Sequence, residues 1–167
     1  MAESAGARRR STMLRRAAWP VGLTLAAAAL VVGVSAAGAV DPINTGWFGN
    51  TAIKGYDPVA YFELGQPTPG DKAITADWNG ATWRFSSAEH RAKFVADPAA
   101  YAPQYGGYCA YAVAEGSTAG IDPESWAVVD GKLYLNYNAK IQAKWEANRD
   151  QMIAAADEQW PKLLSSD

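Results

Sequence analysis

The sequence predicts an α+β domain: a small antiparallel sheet built from hairpins, with a short central helix and a longer C-terminal helix packed on it. Three observations carry that prediction. Asn79-Gly80 and Asp130-Gly131 each interrupt runs of alternating apolar and polar residues, and such pairs suit a type I′ turn, whose central residues both take positive φ. Ser86-Ser87-Ala88-Glu89 has the spacing of a capping box. Ile141, Trp145, Met152, Ile153, Ala156 and Trp160 recur at helical spacing. Hairpins and helices are segregated, which speaks against an alternating α/β chain.

Taken in order, the chain opens with Arg8-Arg9-Arg10 and Arg15-Arg16, followed by an uncharged apolar run over 19–39. Ala37-Gly38-Ala39 matches the small-x-small pattern, so residues 1–39 read as a signal peptide cut after Ala39. The apolar run of about 21 residues is also long enough to cross a bilayer, which leaves an uncleaved inner-membrane anchor as the alternative. The adjacent arginines invite a twin-arginine reading, but the expected Phe is missing. With the arginines held on the cytoplasmic side, the domain is exported, periplasmic or otherwise extracytoplasmic. Residues 40–52 read as a linker whose Trp47 and Phe48 pack on the domain edge, and 53–164 as the domain.

Within the domain, the first hairpin puts Trp83 and Phe85 on one strand face and Arg84 on the other. The central helix, N-capped by Ser86, carries His90 and Phe94 and stops before Asp97-Pro98, because a residue preceding Pro avoids the α region. The second hairpin surrounds Asp130-Gly131, and the last helix starts near Asn138. No internal repeat is legible, nor any low-complexity stretch beyond the leader.

The formal charge of −2 hides an asymmetry. Residues 1–39 hold five of the fifteen basic residues and one of the seventeen acidic ones, so the remainder has ten against sixteen, a net charge of −6. An acidic domain repels phosphate backbones, so nucleic acid is not an expected partner. Membrane contact is expected only through the leader, if it is uncleaved.

Cys109 is the only cysteine and His90 the only histidine. A lone thiol in an oxidising compartment is buried, metal-bound, reactive, or paired with a second chain, which leaves the oligomeric state open. Thiolate plus imidazole suits copper(I) or another soft metal better than a four-ligand zinc site, with Met152 a conceivable third ligand and Asp57 or Asp122 the carboxylates for a harder ion. The bland alternatives are a partly exposed helix histidine and a buried, inert cysteine. Tyr105-Gly106-Gly107-Tyr108-Cys109-Ala110-Tyr111 lets the backbone approach something closely among phenol groups. It reads either as a packed core loop or as the wall of a small-molecule pocket lined by Tyr56, Asp57, Tyr61, Gly106, Gly107, Tyr108 and Trp126. No orienting residue or oxyanion motif accompanies a Cys–His pair, so no catalytic residue is assigned and an enzyme is the third reading.

Lys54-Gly55-Tyr56-Asp57-Pro58-Val59-Ala60-Tyr61-Phe62 resembles the opening of YHS domains. Residues 83–101 resemble their central block, and residues 105–111 with 130–137 resemble the exported bacterial branch. Related YHS and TRASH-type domains carry cysteines thought to bind metal, and some accompany copper or other heavy-metal transporters. The resemblance therefore implies a metal ion or a metal transporter as partner. The chain departs at the ligand positions: Ala60 stands where Asp-Pro-Val-Cys would place a cysteine, and Ser86 and His90 stand where two more would be. Only His90 keeps ligand capacity, and Cys109 substitutes only if the fold brings it within about 4 Å of His90. The expectation is a non-enzymatic extracytoplasmic domain that binds a soft metal ion such as copper.

Overall fold

The computed structural model describes residues 39–46 and 49–165. Residues 1–38, on which the expected signal peptide falls, and Trp47 and Phe48 lie outside the described residues. Past a short N-terminal strap, the chain enters a tight segment, Ala52–Gly55, in which Ile53, Lys54 and Gly55 all have positive φ. Pro58 follows, and Asp57 Oδ1 accepts from the amides of Val59 and Ala60, which starts the one-turn helix α1 (Ala60–Glu63). Strands β1 (Asp71–Trp78) and β2 (Ala81–Phe85) pair antiparallel around Asn79-Gly80, both at positive φ as a type I′ turn requires. Helix α2 (Ala88–Ala96) follows, then the single turn α3 (Pro98–Tyr101), which Asp97 caps through Ala100 N–H.

The same series then repeats. A second left-handed segment, Gln104–Gly107, leads to α4 (Ala110–Ala114), to the hairpin β3 (Asp122–Val129) and β4 (Lys132–Asn136), and to α5 (Ala139–Ala147) and α6 (Arg149–Ser165). Each counterpart starts 50 to 52 residues further on. Asp57 N–H donates to Thr68 O as Cys109 N–H donates to Ala119 O. Asp71 and Asp122 each accept from the amide two residues on, and both hairpins are bulged directly after them. Ser87 and Asn138 cap their helices in the same way. The internal repeat that the sequence conceals is therefore present in the fold. What recurs is the set of backbone devices, namely turns, caps and bulges, while most of the side chains between them differ, Tyr56/Tyr108 and Tyr61/Tyr111 being exceptions.

Three further expectations change in detail. The hairpins do not join into one sheet but form two separate two-stranded sheets, β1-β2 and β3-β4. The N-cap of α2 is Ser87, not Ser86: Ser87 Oγ accepts from His90 N–H at 3.1 Å, because Ser86 Oγ is taken by a tertiary contact. The C-terminal helix is broken at Asn148, whose ψ of 34° and φ of −136° leave the helical region, at the counterpart of Asp97.

Two aromatic clusters hold these elements. Phe94 on α2 lies 5.1 Å from Trp83, 5.2 Å from Phe85 and 5.9 Å from Trp78, and Tyr61 meets Trp126 edge-on at 5.2 Å. Such pairs add about 0.5–1.5 kcal/mol each beyond burial. The second cluster joins Tyr105, Tyr134, Trp145 and Ala156, with Met152 and Trp160 packed against it. The strap closes the structure: Val40 N–H donates to Leu163 O, Asn44 N–H to Gly106 O, and Ile43 is buried.

Candidate functional site

Asp57 is fully buried, and its carboxylate is the hub of a polar cluster. Oδ1 is spent on the α1 entry. Oδ2 accepts from Ser86 N–H at 2.8 Å, Ser86 Oγ at 2.6 Å and His90 Nδ1 at 2.6 Å. The hairpin delivers Ser86 at the end of β2, and the first turn of α2 delivers His90 one helical turn later. A carboxylate only accepts, so five donors converge on one group that can take them all.

The consequence falls on His90. Donating Nδ1–H to Asp57 fixes the tautomer, so the lone pair of the neutral ring sits on Nε2. His90 is 8% exposed, and Nε2 has no hydrogen-bond partner among the described residues and is not among their enclosed atoms. A buried carboxylate behind a histidine whose far nitrogen is available is the arrangement that orients metal-binding and proton-transferring imidazoles. It does not form a serine-nucleophile triad. Ser86 Oγ lies 3.3 Å from Nδ1, on the carboxylate side of the ring, whereas a nucleophile must face the opposite nitrogen.

Cys109 occupies the counterpart of Asp57 in the second half. It is 1% exposed, and its Sγ–H donates to Asn136 Oδ1 at 3.7 Å, which also accepts from Tyr111 N–H. Ile141 stands where the first half has His90, and Tyr137 where it has Ser86. His90 and Cys109 therefore sit at equivalent ends of two repeats in separate hydrogen-bond networks, rather than sharing one. Among the described residues no three His, Cys, Asp or Glu side chains converge as metal ligands. Asp122 serves its own strand, accepting from Glu124 N–H, and Met152 packs in the second cluster.

The aromatic pocket residues separate as well. Tyr61 is buried on Trp126, and its hydroxyl donates to Pro123 O at 3.1 Å, with Tyr56 packed against the same cluster. Tyr108 instead packs on Trp160 and borders a shallow cleft with Asp41 and Asn44. The close approach that Gly106 and Gly107 permit is filled by the chain itself. A Cβ on Gly106 would collide with the Pro42 carbonyl oxygen, and one on Gly107 would lie 2.7 Å from Ile53 Cγ2. Of the cluster described here, Ser86 was legible only as a cap, and the Asp57–His90 pairing spans 33 residues with no local signal. No family model, curated protein or solved structure matches this chain, and no helix among the described residues is long and apolar enough to cross a membrane.

Proposed function

We propose that the chain is an extracytoplasmic, non-enzymatic binding domain of the YHS type, which takes a soft or borderline metal ion such as copper on His90 Nε2. The observation that carries this reading is the 2.6 Å contact between Asp57 Oδ2 and His90 Nδ1. It presents Nε2 as a lone-pair donor and fixes the ring's orientation, as carboxylate partners do behind metal-bound histidines. The donor set is small, so the ion keeps coordination positions for solvent or for a second protein. That suits a carrier that hands its metal to a transporter better than a structural site, which closes four ligands around the ion. Cys109 joins the site only if its thiol ionises and leaves Asn136.

The test is chelator-competed copper titration of the purified domain, with His90→Gln and Cys109→Ser beside it. Loss of one equivalent in His90→Gln, with Cys109→Ser unchanged, supports the His90 site. Full binding by His90→Gln, or loss in Cys109→Ser alone, overturns it.

A further inference from the structure

A second concavity, away from the Asp57 cluster, is chemically distinct. It is an open cleft of about 420 Å³ between the strap (Pro42, Ile43), the β1 end (Trp78, Asn79), the Ala102–Gly106 segment and α6 (Asp157, Trp160, Leu164). That volume lies within the range of small-ligand clefts. Two indoles and one carboxylate dominate its lining. Asp157 Oδ1 accepts from Tyr105 Oη at 2.8 Å, while Oδ2 has no hydrogen-bond partner among the described residues. No Lys, Arg or His lines the cleft, and Asp157 enters no ion pair among the described residues. Among the described residues the cleft therefore carries a negative charge beside two indoles with no cation to offset it, in a stretch, 40–167, whose net charge is −6.

We propose that this cleft binds a small organic ammonium ion, with its charge on Asp157 and its alkyl groups against Trp78 and Trp160. Aromatic faces attract a cation through their quadrupole, and alkylated ammonium ions lose little hydration on entering such a site. A neutral sugar fits less well. It brings no positive charge to the Asp157 carboxylate, whose polar neighbours in the lining are Asn79, Gln104, the Tyr105 hydroxyl and the two indole N–H groups. A metal ion fits less well too, because one carboxylate oxygen and two indoles do not make a coordination shell.

The experiment titrates the intact protein with tetramethylammonium chloride, followed by tryptophan fluorescence and by NMR, against neopentyl alcohol as the neutral counterpart of similar shape. Saturable binding of the ammonium ion is expected, with the alcohol about threefold weaker, the size of a cation–π contribution at an exposed site. Asp157→Asn keeps an oxygen for Tyr105 and so keeps the fold, and it is expected to weaken binding by a similar factor. Glu158→Gln, which removes a neighbouring charge outside the cleft, is expected to leave it unchanged. Equal binding of the alcohol, no effect of Asp157→Asn, or equal loss in Glu158→Gln overturns the proposal. So does binding of a monosaccharide in place of the cation, or no saturation by tens of millimolar.

Discussion

Replacing Asp57 with Asn keeps the side-chain shape and exchanges one acceptor oxygen for an NH₂ group. If the remaining oxygen stays on Val59 and Ala60, the new donor faces Ser86 N–H, Ser86 Oγ and His90 Nδ1. The serine hydroxyl can turn to accept, and the imidazole can move its proton to Nε2, but Ser86 N–H has no such freedom. One stranded amide costs about 1–3 kcal/mol, and converting charge-assisted bonds to neutral ones adds about as much again, so about 4 kcal/mol in total is expected. A domain of this size has about 5–15 kcal/mol in hand, so the variant still folds and the loss is readable by urea denaturation. His90 is the only histidine, so its ring nitrogens are unambiguous by ¹⁵N NMR. The parent should show the proton on Nδ1, and Asp57→Asn should show it on Nε2 with weakened copper binding. A stability change below about 1 kcal/mol would refute the account of the buried carboxylate. An Nε2-protonated parent would refute the account of how His90 is presented.

Gly106→Ala should unseat the strap, since its Cβ collides with Pro42 O; a loss of about 2–4 kcal/mol and new proteolysis around residues 40–46 are expected, and a silent substitution would contradict the packing. Burial, reinforced for Tyr105 by the Asp157 carboxylate and for Tyr61 by nearby Tyr56, Glu124 and Asp122, pushes both hydroxyls above the usual tyrosine range. Because the folded-state values are the raised ones, their contribution is complete below about pH 10 and is lost as pH climbs past it, where the unfolded chain ionises first. Tyr61→Phe or Tyr105→Phe should flatten the alkaline limb of a stability–pH curve. Cys109, at 1% exposure, should resist iodoacetamide in the folded protein and react fully in urea, as read by mass spectrometry. Rapid native labelling would point to an accessible, reactive thiol.

The parts of the fold that were legible are those written in neighbouring residues. Asn79-Gly80 and Asp130-Gly131 mark their turns because positive φ restricts what can stand there, and both turns form. The cap of α2 shifts by one residue for a reason outside any local window: Ser86 has a better partner in Asp57, 29 positions back. The repeat escapes notice because its paired positions differ in chemistry, with Asp57 against Cys109, His90 against Ile141, and Phe85 against Asn136. Beside the devices that constrain the backbone, only scattered side chains recur in both copies, such as Tyr56 and Tyr108 or Ala60-Tyr61 and Ala110-Tyr111. His90 and Asp57 were both legible as ligand candidates, whereas their mutual contact is a product of tertiary structure.

The repetition also bears on how the chain reaches this state. Each strand finds its partner across a two-residue turn, and α2 and α5 each follow directly on their own hairpin, so these pairings close short loops. Such topologies cross low entropic barriers. Each hairpin can thus form on local contacts, whereas the first core cluster draws on both halves, with Val59, Trp83 and Phe94 beside Ile121, Leu133 and Leu135. Ties between halves, such as Tyr61 Oη to Pro123 O and Asn44 to Gly106, can form only once both halves exist. Folding should therefore divide into an early phase that forms the two hairpins and a late phase that closes the shared core, with the strap the last segment to gain protection from hydrogen exchange.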